Sequence, residues 1–212
     1  MITSVWLTGC GRPRTGTEQV ERVPDTTPGE IVAEAYLFDA RVKKDGKPTS
    51  VRLEIYRTDS IMAFNGRGYL GKGAFRGTLV NDTLLAYFPT LNEYAHEAIQ
   101  GLFESLSCSV GVARFDFSAL FERTPDSLDM GDLRVVSDYD DNDRPEFVLS
   151  REGCTWEFRL KYDRRDDRWW LDEFYLESGP DLELRGHRRT LRQRADVPRS
   201  RFDVAIPDDA VR

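Results

Sequence analysis

A period of two in the apolar residues constrains this chain more than any other feature. Trp156, Phe158, Leu160 and Tyr162 alternate with Glu157, Arg159 and Lys161. A strand sends successive side chains to opposite faces, so this run predicts a strand with one face buried and one wet. The same alternation begins at residue 31, where Glu34, Tyr36, Phe38, Ala40 and Val42 interleave with Ala35, Leu37, Asp39 and Arg41. Asp45-Gly46 then predicts a two-residue hairpin turn. Val51, Leu53 and Ile55 continue beyond it, and Thr58-Asp59-Ser60 turns the chain into Ile61 to Phe64. Ala74 to Val80, a turn at Asn81-Asp82 and Thr83 to Phe88 complete a first series of antiparallel strands.

The period changes after Pro89. Ala95, Ala98, Ile99, Leu102, Phe103 and Leu106 recur at helical spacing behind a candidate Asn92 cap, and Phe117, Leu120 and Phe121 predict a shorter helix over 116–123. Strands are expected again at Leu133 to Tyr139, Glu146 to Ser150, Cys154 to Tyr162, Trp169 to Ser178 and Leu182 to about Arg189, with 163–168 a charged hairpin loop. The fold class predicted is α+β: one curved antiparallel β-sheet with two helices on one side. At 212 residues, such a domain buries roughly 70% of its extended surface without help from a metal or disulfide.

Charge and motif content exclude more than they suggest. Thirty basic against 37 acidic residues argue against a nucleic-acid binder. Two histidines leave little for histidine triads or His-rich metal sites. Glu93, His96 and Glu97 lack the second histidine of a zinc-protease motif. Asp138, Asp140 and Asn142 open like a calcium loop, but Asp143 replaces the required glycine and Leu149 the closing glutamate, so a solvated hairpin turn is expected. No nucleophile, base and orienting group occur together, so neither an enzyme nor a cofactor is expected. Residues 185–201 carry seven arginines against Asp196 alone. They read either as solvated edge-strand charges or as a basic strip for anionic headgroups, with His187 an exposed edge residue among them.

The N-terminus has its own pattern. Leu7-Thr8-Gly9-Cys10 follows Val5 and Trp6, and residues 11–30 are rich in Gly, Pro and Thr with almost no large apolar side chain. The order resembles the lipobox, tether and domain of bacterial lipoproteins, although the basic start and longer apolar stretch of that pattern are missing from Met1 to Thr8. By that resemblance 1–9 is the remnant of a signal peptide, Cys10 the lipidated residue, 10–30 a tether and 31–212 the domain. Gly11, where an inner-membrane aspartate often stands, implies the outer membrane, facing the periplasm. Cys108 and Cys154 would then form an even pair, either bridged or packed as two buried thiols.

Thr58-Asp59-Ser60-Ile61, Tyr69-Leu70-Gly71 with Arg76, Leu79 to Asp82, Tyr94, and the closing Phe202…Ile206-Pro207…Ala210 are similar to an uncharacterised branch of the LolA/LolB lipoprotein-localisation group. The resemblance implies an incomplete β-barrel wrapped around a helical lid, with an apolar cavity for acyl chains between them. Tyr69-Leu70, between Gly68 and Gly71, is either the nearest counterpart of the exposed leucine loop of LolB or ordinary strand-end packing. Tyr36, Phe38, Trp156, Phe158, Trp170 and Phe174 are the candidate ligand-binding residues. The partners expected are lipid or lipoprotein acyl chains and, through the anchor, the membrane. The alternative is an envelope assembly module in which the same aromatics fill a solid core.

Overall fold

A computed structural model describes residues 29–68, 71–99, 116–140, 142–180 and 182–212. Two antiparallel meanders share one sheet. The first comprises β1 (Glu30–Lys44), β2 (Lys47–Arg57), β3 (Ile61–Arg67), β4 (Gly73–Val80), β5 (Thr83–Phe88) and β6 (Glu93–Ala98). The second comprises β7 (Arg134–Tyr139), β8 (Pro145–Ser150), β9 (Trp156–Arg165), β10 (Arg168–Ser178) and β11 (Leu182–Pro198). β11 pairs with β1 from Glu30↔Pro198 to Lys44↔Leu182 and joins the halves into an 11-stranded curved, open sheet in the order β6-β5-β4-β3-β2-β1-β11-β10-β9-β8-β7. The two edges, β6 and β7, are consecutive strands in the chain.

Local chemistry explains the hairpins. A two-residue I′-type turn needs positive φ at both central positions. Asp45 and Gly46, Asn81 and Asp82, and Asp166 and Asp167 all have it. The charged 163–168 segment thereby shortens to a two-residue turn, with strand on both sides. Thr58 Oγ1 accepts from the amides of Ser60 and Ile61 and fixes the β2–β3 corner. Asp140 Oδ1 accepts from the amides of Asn142 and Arg144, so the calcium-like spacing folds as a hairpin turn.

Within the described residues the expected helical lid is not found. Glu93–Ala98 is strand β6, paired with β5 through Tyr87↔Tyr94 and Leu85↔His96. The exposed edge of β5 offers this segment a ladder for its backbone groups, and that pairing overrides the helical spacing. Asn92 is not a cap: it takes φ 55° and accepts from Tyr87 Oη at 3.0 Å. The segment 116–123 contains only a four-residue 3₁₀ turn, Ser118–Phe121. Among the described residues the domain is almost entirely β. Residues 1–28, including Cys10, together with Tyr69-Leu70 and the segment from Leu102 to Cys108, lie outside those residues.

Two further expectations change. The arginine-rich segment is not an edge: β11 runs to Pro198 in the middle of the sheet, with His187 exposed on it. Glu93, His96 and Glu97 lie on a strand, so the histidine points away from the two glutamates. The start of the β6 edge is bridged by Val211 in the chain's own C-terminal tail. Tyr94 donates to the Val211 carbonyl at 2.8 Å, and Val211 donates back to Asn92 at 2.9 Å. Phe202 holds the start of this tail on Tyr56, with Ala33, Ala63 and Val197 forming a small second core around it.

Candidate functional site

The six aromatics expected to bind a ligand are brought together in one buried cluster. Tyr36 and Phe38 come from β1, Trp156 and Phe158 from β9, and Trp170 and Phe174 from β10. Phe38 lies 5.3 Å from Phe174, and Tyr36 lies 6.4 Å from Trp170, ring centre to ring centre. Gly186, the neighbour of Phe174 on β11, leaves space for that ring: a Cβ there would sit 2.3 Å from it.

The cluster is not open at its centre. The 3₁₀ turn places Phe121 edge-on to Tyr36 at 5.3 Å and to Phe38 at 6.5 Å. Leu120, also from this turn, is buried in the same cluster. Polar contacts hold the turn at both ends. Tyr162 Oη donates to the Leu120 carbonyl at 2.9 Å. Arg57 donates to Glu34 at 2.6 Å, to Ser118 Oγ at 3.1 Å and to Glu122, and Tyr36 Oη donates to Glu34 at 2.9 Å. Burial alone would lower the pKa of Arg57, but the Glu122 hydrogen bond and the Glu34 charge outweigh it and hold the guanidinium charged. Burial pushes the Tyr36 and Tyr162 phenols above their ordinary value, Glu34 adding to the effect at Tyr36. Phe121, Arg57 and Glu122 were not among the candidate site residues. The helical pattern around Phe121 was visible, but partners 23 and 65 residues from Arg57 leave no local signal.

A second polar cluster lies where β10 bulges between Leu171 and Glu173. Arg188 is buried there, donating to the Leu171 carbonyl at 2.7 Å and pairing with Asp172 at 3.0 Å. Arg144 takes the other Asp172 oxygen at 3.1 Å. Asp172, Glu173 and His187 are close enough together to suggest a metal, but both Asp172 oxygens already serve arginines, so the chemistry is that of an ion-pair network. Cys154 is disulfide-bonded, and both other cysteines of the chain, Cys10 and Cys108, lie outside the described residues.

The opposite face is charged and concave. A recess of about 1500 Å³ runs from the β3–β4 connection across β2, β1, β11 and β10 to β9 and β8. Register aligns one residue from each of seven strands along it: Arg67, Arg52, Asp39, His187, Glu173, Lys161 and Glu146.

No family model matches the chain, and no curated protein matches it. Solved structures do. A LolA superfamily protein from Nitrosomonas europaea is 11% identical, with 81% of this chain and 90% of that one covered and a TM-score of 0.43. A DUF1329 family protein from Desulfovibrio piger is 10% identical, over 84% of this chain and 90% of its own, with a TM-score of 0.44. An uncharacterized conserved protein from Thermus thermophilus is 10% identical, over 82% and 88%, at 0.43. The chain is similar to solved structures that include a member of the LolA superfamily.

Proposed function

We propose that this chain is a non-catalytic protein of the bacterial cell envelope that takes an apolar chain, such as a fatty acyl group, against the aromatic face. The observation that carries the proposal is the way this face is closed. Phe121 and Leu120 fill its centre from a four-residue turn outside the sheet, fastened by side-chain contacts from Arg57 and Tyr162. Withdrawing that turn would remove Phe121 from Tyr36 and Phe38 without breaking any strand pairing. Ten methylenes buried in its place contribute about 8 kcal/mol gross. Exposing one leucine and one phenylalanine costs roughly 3–6 kcal/mol, and association takes a further share, so weak to micromolar binding is expected.

An environment-sensitive apolar dye added to the delipidated protein should brighten, and a long-chain fatty acid should displace it. Failure of both leaves the second reading, an assembly module with a solid core, which the complete burial of Phe38 favours.

The same proposal anchors the chain at the outer membrane through acylated Cys10. Cys10→Ser in the full-length chain then releases it to the soluble fraction, and unchanged membrane association refutes the anchor. Pairing of Cys154 with Cys108 completes the reading, and peptide mapping of the unreduced protein should recover the two as one linked pair.

A further inference from the structure

The geometry points to an anion site on the charged face, built around Arg41 and Arg185, that takes a phosphate or pyrophosphate group; it is independent of the aromatic face. Arg41 and Arg185 lie directly opposite each other on β1 and β11, with Ser50 beyond Arg41 on β2. Adjacent strands are about 4.8 Å apart, so two guanidinium groups and a hydroxyl line one step of the recess floor. Like charges directly opposite one another destabilise a sheet. The recess holds a second such pair, Arg52 and Arg67 on β2 and β3.

Its six cations face five carboxylates, but the pairing is uneven. Lys161 pairs with Glu146, Arg67 with Glu54 and Arg159 with Glu157, while Asp39 pairs with Arg189 from outside the recess. The next row along the strands is acidic, and it is also engaged: Glu183 pairs with Lys43 and Glu177 accepts from Tyr175 Oη. Among the described residues, no carboxylate pairs with Arg41, Arg185 or Arg52. Although the chain has more acids than bases, three arginines of one cavity are unmatched among the described residues. An oxyanion accepting from both Arg41 and Arg185 offsets their repulsion, and guanidinium groups suit phosphate because each can donate two parallel hydrogen bonds.

The test titrates the full chain with inorganic pyrophosphate at low salt and mixes it separately with phosphatidylglycerol and phosphatidylcholine vesicles. Pyrophosphate binding that weakens at least tenfold in Arg41→Gln/Arg185→Gln, and less than twofold in Arg134→Gln on β7, is the expected result. Because both side chains are exposed, the double variant should melt no lower than the parent without ligand. Vesicle binding that requires phosphatidylglycerol and is competed by pyrophosphate identifies a lipid headgroup as the source. Pyrophosphate binding without vesicle binding identifies a soluble phosphate compound. Absence of binding in both arms, binding unchanged in the double variant, or a melting temperature lowered by several degrees overturns the proposal.

Discussion

On one side of β1, Tyr36, Phe38 and Ala40 are 2%, 0% and 6% exposed; on the other side of the same strand, Asp39 and Arg41 stand in solvent. The contrast holds along β9, where Trp156, Phe158, Leu160 and Tyr162 are buried while Arg159 is exposed and Glu157 and Lys161 are half-buried. One face is therefore fixed by packing, which is sensitive to the volume of each ring. The other is fixed by partly exposed ion pairs, each contributing little to stability. Stability should concentrate on the aromatic face, leaving the charged face free to vary or to recognise a ligand.

The largest effect expected follows from that division. Phe38→Ala or Trp170→Ala should cost about 3–5 kcal/mol in denaturant unfolding. Arg52→Gln, on the other face, should stay within about 0.5 kcal/mol. Comparable losses from the two faces would break the comparison.

Arg57 sharpens it, because it is a buried charge on the packed side. Arg57→Met leaves Glu34 and Glu122 without their cation and should cost about 2–3 kcal/mol, toward the low side for a broken ion pair because Glu122 is partly exposed. The same substitution frees the turn that carries Phe121, so apolar-dye binding should rise as stability falls. Lower stability with unchanged dye binding would mark the turn as ordinary core.

A smaller effect comes from the buried phenols. Tyr36 and Tyr162 have folded pKa values raised above the unfolded value of about 10. Their contribution is therefore fully present below about pH 10 and is lost as pH rises beyond it, because the unfolded state then ionises first. Unfolding free energy should fall by about 1.4 kcal/mol per pH unit for each tyrosine once its unfolded form is ionised. Denaturation curves collected from pH 8 to 11 test this, and Tyr162→Phe should remove one of the two contributions.

The turns and the alternating strands were legible because both are local. Asn81-Asp82 accepts positive φ at two successive positions, and the side chains of β9 alternate whatever lies beside them. β6 was not legible, because Ala95 and Ala98 fit a helical period while the partner that makes them a strand is β5. The aromatic cluster could be anticipated residue by residue, but the turn that closes it could not. Its ties to Arg57 and Tyr162 depend on how distant strands are placed. The charged recess was least visible of all: Arg41 and Arg185 become neighbours only because β11 returns to pair with β1.

The proposed function requires that an acyl chain reach the aromatic face. A chain retaining Trp170 as its only tryptophan, with Trp6, Trp156 and Trp169 replaced by phenylalanine, reports on this directly. Bromine quenches indole fluorescence on contact, so a fatty acid brominated along its chain should quench Trp170 saturably, and the unbrominated acid should reverse the effect. Unquenched Trp170 fluorescence at concentrations where the apolar dye is displaced would place the ligand elsewhere and contradict the account.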